Sequence, residues 1–134
     1  MSMPKILVVD HDTETREQFR RELEADGFDV RTATESTTAT QLVQEWDPQL
    51  AVLDVRLGDE SGLDLLRHLL EMRRSLNTIL VSAYPGYRDD FAAWLADAFL
   101  DKYGDVAVLK DKVHELLESG MWDRAPHGST PTAA

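Results

Sequence analysis

Several residues that could do chemistry stand just after apolar runs of this chain. Asp10, His11 and Asp12 follow Ile6–Val9, and Asp54 follows Leu50–Leu53. Ser82 follows Thr78–Val81, and Lys102 comes soon after Phe99-Leu100. If the fold gathers these residues, Asp10 and Asp54 repel each other, at a cost in free energy unless a cation lies between them. An acidic, all-oxygen donor set favours a hard cation such as Mg²⁺. Lysine is scarce, occurring only at Lys5, Lys102, Lys110 and Lys112, and Lys102 would add a compact positive charge. A carboxylate, a divalent cation, an ammonium and a hydroxyl together suit phosphoryl transfer. That chemistry needs an in-line nucleophile and neutralisation of three charged oxygens.

The elements that must position these groups can be read from periodicity. Lys5–Val9, Leu50–Leu53 and Thr78–Val81 are continuous aliphatic runs, as strands buried on both faces would be. Phe28–Thr32 alternates and suits a more exposed strand, and Phe99-Leu100 suits a short one. Between them lie helical patterns. One runs from Asp12 to Ala25 with Phe19 and Leu23 inward, stopped by Gly27. A second is capped by Ser36, carries Ala39, Leu42, Val43 and Trp46, and is broken at Asp47-Pro48. A third has its stripe at Leu63, Leu66, Leu69, Leu70 and Met72. A short fourth holds Phe91, Trp94 and Leu95 after a turn at Pro85-Gly86, and the last runs from Val106 to Leu117. Arg56–Ser61 reads as a Gly- and acid-rich loop. Five strand–helix units predict an α/β fold: a doubly wound, five-stranded parallel sheet with helices on both faces. In strand order 2-1-3-4-5, the flavodoxin-like order, Asp10 and Asp54 face each other across the crevice at the carboxyl ends of adjacent strands.

Composition narrows the function. The 134 residues, at about 100–200 per domain, predict one domain. The net charge of −11 argues against direct nucleic-acid binding and against docking on an anionic membrane. The absence of cysteine excludes disulfides, thiol catalysis and Cys-ligated metals. No apolar run approaches the roughly 18 residues of a membrane span, and no signal peptide is visible, so a cytoplasmic location is the expectation. Trp46 and Trp94 are expected at the core edge, and His68, His114 and His127 at the surface. Residues 119–134, rich in Gly, Pro, Ser and Thr, are expected to be a flexible tail or a truncated linker.

In order and spacing, ILVVDHD at 6–12, PQLAVLDVRLGDESGLDLLRHL at 48–69, TILVSA at 78–83 and AFLDKYGD at 98–105 resemble the receiver domains of two-component response regulators. The resemblance covers roughly residues 4–118. It implies a stand-alone receiver with Asp54 as the phosphoacceptor and Lys102 paired with the phosphoryl oxygens. Ser82 and Phe99 are the implied switch residues, and Gly62 the glycine eight positions after the acceptor. The implied metal is Mg²⁺, with Mn²⁺ as the variant, held by Asp10, Asp54 and the backbone carbonyl of Arg56. The implied partners are a sensor histidine kinase or a histidine phosphotransfer protein, and a downstream protein of unknown identity. The resemblance also implies a changed face formed by helix 4, strand 5 and helix 5, through which a homodimer could form. Such a protein is a phosphoacceptor switch rather than an enzyme, with at most self-phosphorylation from small donors and autodephosphorylation.

Three positions depart from the family pattern. His11 stands where a second acid is usual, which leaves the last metal ligand open between Asp12, His11 and neither. Tyr103 and Gly58 each stand where proline is usual. His11 motivates an alternative reading, a pseudo-receiver that binds proteins without phosphate. The Asp10-x-Asp12 pair motivates a remote one, a small phosphatase of the haloacid-dehalogenase type.

Overall fold

In the computed structural model, residues 3–83 and 94–119 are described. The elements are β1 (Lys5–Val9), α1 (Thr13–Ala25), β2 (Asp29–Ala33), α2 (Ser36–Trp46) and β3 (Leu50–Asp54). There follow β4 (Arg56–Leu57), β5 (Glu60–Ser61), α3 (Gly62–Met72), β6 (Asn77–Ser82), β7 (Ala98–Asp101) and α4 (Val106–Ser119). The main sheet is parallel throughout, in the order β2-β1-β3-β6-β7. This is the predicted doubly wound order, with β6 and β7 in the fourth and fifth places.

The apolar runs divide their side chains between two cores, because successive residues of a strand point to opposite faces. Leu7, Val9, Ala51, Leu53 and Leu80 pack with Ala39, Val43 and Trp46 of α2 and with the leucines of α3. Ile6, Val8, Leu50, Val52, Ile79 and Val81 pack with Phe19 and Leu23 of α1 and with Leu109 and Val113 of α4. Each central strand is therefore buried on both faces, which is why its sequence shows no alternation.

Local signals set the helix ends. Asp12 caps α1, accepting the Glu14 N–H, and Gly27, at φ +93°, stands just past its end. Asp47, at φ 56°, closes α2 in the left-handed conformation. Ser61 caps α3, accepting the Asp64 N–H at 3.2 Å.

Four expectations need correction. Ser36 does not cap α2; it is the first helical residue, and Glu35 in the cap position makes no side-chain cap bond. Arg56–Ser61 is not an irregular loop. It forms a short hairpin in which Arg56 pairs with Ser61 and Leu57 with Glu60. The turn is Gly58-Asp59, and Gly58 takes φ +63°, open to glycine and closed to proline. Trp94 is not at the core edge but 78% exposed. Its neighbour Leu95 makes the core contact instead. Strand limits also shift by a residue, β2 running to Ala33 rather than Thr32. Trp46, by contrast, is buried, and His68 and His114 are exposed. The turn at Pro85-Gly86, Phe91 of the short fourth helix, His127 and the tail beyond Ser119 lie outside the described residues.

Candidate phosphoacceptor site

Register brings the carboxylates together. Val9 lies level with Leu53 in adjacent parallel strands, so the next residues, Asp10 and Asp54, emerge side by side at the carboxyl end of the sheet. Ser82 ends β6, which pairs with β3 on its other side. The Lys102 amide donates to the Ser82 carbonyl at 2.9 Å, which brings the residue after β7 to the same edge.

The Lys102 ammonium lies between the two acids. Its Nζ donates to Asp54 Oδ2 at 2.6 Å and to Asp10 Oδ1 at 3.1 Å. All three side chains are buried, with 8% of Lys102, 7% of Asp54 and 1% of Asp10 exposed. Two carboxylates thus share one cation, leaving one negative charge in a buried site. Burial pushes the Asp10 carboxyl up to about 6. The Asp54 charge adds to that effect, while the Asp12 amide and Lys102 oppose it. Burial alone would lower the Lys102 pKa, but its bonds to the two carboxylates reverse this and hold it above the usual lysine range.

The remaining carboxylate oxygens are not equivalent. Asp54 Oδ1 accepts the Arg56 N–H at 3.1 Å, which turns the chain sharply after β3. Asp10 Oδ1 also accepts the Asp12 N–H, at 2.8 Å. Asp10 Oδ2 is buried with no hydrogen-bond partner. A buried carboxylate oxygen without a donor is costly, and a hard cation would satisfy it. The site therefore fits the Mg²⁺ that the sequence suggested, with the donor-free Asp10 Oδ2 as the oxygen that would take it.

The structure does not bring the other ligand candidates to this pair. Asp12 is occupied as a helix cap: Oδ2 accepts the Thr15 hydroxyl at 2.7 Å and Oδ1 the Glu14 N–H at 3.3 Å. These bonds, the Thr15 hydroxyl foremost, hold its carboxyl below the usual range. His11 is exposed and its ring rests against Gly58, where a Cβ would lie 3.3 Å from the imidazole Cε1. Among the described residues, no three acidic or imidazole side chains are grouped to hold a metal. Ser82 is buried, and Phe99 is half-buried against the α2–α3 core.

Gly62 belongs to the site for a steric reason. A Cβ there would collide with the Asp54 backbone carbonyl oxygen, and its N–H donates to the Val55 carbonyl at 2.7 Å. Only glycine lets α3 start this close to the acceptor strand. Two contacts around the site escape sequence reasoning, one to the Asp10 backbone and one outside the acidic pair. Arg16 of α1 donates from Nη1 to the Asp10 carbonyl at 3.1 Å. Glu60 reaches across to the start of α2. Arg16 lies four residues after the helix cap, a weak signal; Glu60 offers none, its partner being 24 residues away.

The fold is a doubly wound parallel sheet in receiver strand order, with an acidic pair and a lysine at its carboxyl edge. The family model for the response regulator receiver domain matches residues 6–114. The chain belongs to the response regulator receiver family. It is similar to TrrA of Thermotoga maritima, solved with Mg²⁺ and BeF, at 32% identity and a TM-score of 0.81, over 85% of this chain and 99% of that one. TrrA has also been solved in complex with the histidine kinase ThkA, and the likeness there has a TM-score of 0.79 over 86% of this chain and 99% of that one. Among curated proteins, it is 30% identical over 124 residues to the response regulator MprA of Mycobacterium sp. (strain KMS), covering 91% of this chain and 54% of that protein. It is 37% identical over 71 residues to the aerobic respiration control protein ArcA of Escherichia coli (strain K12), covering 53% of this chain and 30% of ArcA. The chain thus spans about half or less of these two relatives. Membership does not favour the pseudo-receiver or the phosphatase. Among the described residues, no helix is long and apolar enough to cross a membrane.

Proposed function

We propose that this receiver, over residues 4–118, accepts a phosphoryl group on Asp54 from a phosphohistidine of a sensor histidine kinase or a histidine phosphotransfer protein. The observation that carries this reading is the Asp54–Lys102–Asp10 triad at the sheet edge. The P–N bond to the partner's imidazole breaks as an Asp54 carboxylate oxygen bonds to phosphorus. The electron pair leaves with the ring nitrogen, which takes up a proton. Lys102, freed in part from Asp54, pairs with the phosphoryl oxygens. Ser82, at the end of the neighbouring strand, supplies a hydroxyl donor to the new phosphate, and Phe99 follows it. Bound Mg²⁺ supplies the positive charge that lets a dianionic phosphoryl group approach two carboxylates. Asp10 would hold it through the oxygen that lacks a donor, with Asp54 and the Arg56 backbone carbonyl as the further candidate ligands. The structures of TrrA with Mg²⁺ and with ThkA support the choice of metal and donor.

The signalling face is assigned to β7, α4 and the segment before β7. Trp94 before β7, Tyr103 just after it and Val108 of α4 expose 78%, 71% and 52% of their surface. The downstream protein, or a second copy of the chain, would cover these side chains.

The test is incubation with acetyl phosphate and Mg²⁺, then with Mn²⁺, followed by intact mass. A base-labile gain of one phosphate that Asp54→Asn abolishes is the expected result. No gain with either metal in folded protein overturns the reading.

A further inference from the structure

The hairpin β4–β5 is fastened at both ends. At its root, the Arg56 N–H is held by Asp54 Oδ1 at 3.1 Å. At its tip, the Glu60 carboxylate accepts the Ser36 backbone N–H at 2.8 Å and the Ser36 hydroxyl at 2.6 Å. Ser36 opens α2, and Glu35, the cap residue, makes no side-chain cap bond. The first amides of a helix lack intrahelical acceptors, and a negative charge is favoured there. A side chain from another element thus caps α2. The Ser36 bonds also hold the Glu60 carboxyl below its usual range, so the acceptor is charged.

We propose that the Glu60–Ser36 pair is a latch that reports the state of Asp54 at the N-terminus of α2, making the α2–α3 groove a phosphorylation-dependent surface. This rests on Asp54 being the phosphoacceptor. Phosphorylation converts the Asp54 carboxylate to an acyl phosphate, which moves the negative charge onto the phosphoryl oxygens and leaves a weaker acceptor for the Arg56 N–H. Arg56 is paired with Ser61, the neighbour of Glu60, across a hairpin only two residues long on each side. A shift at Arg56 is therefore passed on to Glu60 rather than absorbed. The latch sits at a groove of about 930 Å³ between α2 and α3, whose walls include Thr37, Thr40, Asp64 and His68. Releasing the latch frays the first turn of α2 and reshapes that groove, a shift between two populations.

Hydrogen exchange of the first turn of α2 in the full chain, before and after acetyl phosphate with Mg²⁺, tests the latch. Intact mass of the same samples reports the phosphate. Loss of a cap corresponds to about fivefold faster exchange, and that acceleration is expected on phosphorylation. Glu60→Ala should exchange that fast without phosphate, gain less than about twofold on phosphorylation, and take up phosphate as the wild type does. Glu60→Gln, which keeps an acceptor oxygen, should restore part of the response. Unchanged α2 exchange in phosphorylated protein, or a full response in Glu60→Ala, overturns the proposal. Absence of a mass gain overturns the phosphoacceptor reading instead, and Asp54→Ala then decides the latch. Removing the acceptor of the Arg56 N–H should speed α2 exchange, and no change refutes the coupling.

Discussion

Lys102 Nζ stands 2.6 Å from Asp54 Oδ2, across 48 residues of sequence, and the same ammonium lies 3.1 Å from Asp10 Oδ1. One cation thus serves two buried carboxylates, and the site's stability, pH response and chemistry follow from that ratio.

Lys102→Ala leaves two adjacent buried carboxylates without their cation. Breaking a buried ion pair by removing one partner costs about 3–5 kcal/mol. Urea unfolding at pH 7.5 should show a loss of that order. At pH 5 the loss should be smaller, because Asp10, with its carboxyl at about 6, is then mostly neutral. An equal loss at both pH values would count against the shared charge.

Asp10 also sets a pH dependence in metal-free protein. Burial pushes its carboxyl up to about 6 in the folded protein, against 3.8 as its ordinary value. The folded state therefore binds the proton more tightly than the unfolded chain. The stability this contributes is present below about pH 4 and is lost as pH rises through about 6, a change on the order of 3 kcal/mol. Asp10→Asn should flatten that part of the stability profile. In the same window, Mg²⁺ affinity measured by calorimetry should rise with pH as Asp10 deprotonates.

Gly62→Ala sets a methyl group against the Asp54 carbonyl oxygen. Backbone on both sides must move, so a loss of at least about 1–3 kcal/mol is expected. Phosphate uptake should fall as well, because the displaced backbone carries the acceptor. Thermal melting and intact mass read the two effects separately.

His11→Asp puts a carboxylate at the position next to Asp10. Each added carboxylate strengthens attraction for a hard cation, and Mg²⁺ binding should tighten by about tenfold or more, or about 1.4 kcal/mol. Unchanged affinity in calorimetry would mean that residue 11 does not limit the metal. The His11 ring packs on Gly58, which holds φ +63°. Gly58→Ala should therefore cost about 1 kcal/mol through backbone strain, a loss that His11→Asp leaves in place.

Sheet order and the acidic pair were both legible in the chain. Runs such as Ile6–Val9 and Leu50–Leu53 must be buried on both faces, and strand–helix alternation leaves few topologies for them. Asp10 and Asp54 then fall at one edge by counting alone. Ser82 and Lys102 were marked by their places just after apolar runs and Gly62 by resemblance; Ser82 and Lys102 lie at the same edge, and Gly62 lies against the Asp54 backbone. Even the hairpin left a trace in Gly58-Asp59, a two-residue turn signal that the flanking strands were too short to confirm.

Other features depended on tertiary structure. A side chain's partner across space carries no periodicity, so nothing in the chain linked Glu60 with Ser36 or Arg16 with the Asp10 carbonyl. The assignment of Asp12 to a helix cap was decided by where α1 begins, and the seat of His11 by the left-handed turn at Gly58. The exposure of Trp94 and the donor-free oxygen of Asp10 depend on which neighbours the folded chain supplies. Burial periodicity is a property of single elements and can be read along the chain. Electrostatic neutralisation belongs to the contacts between elements, and those exist only once the sheet has formed.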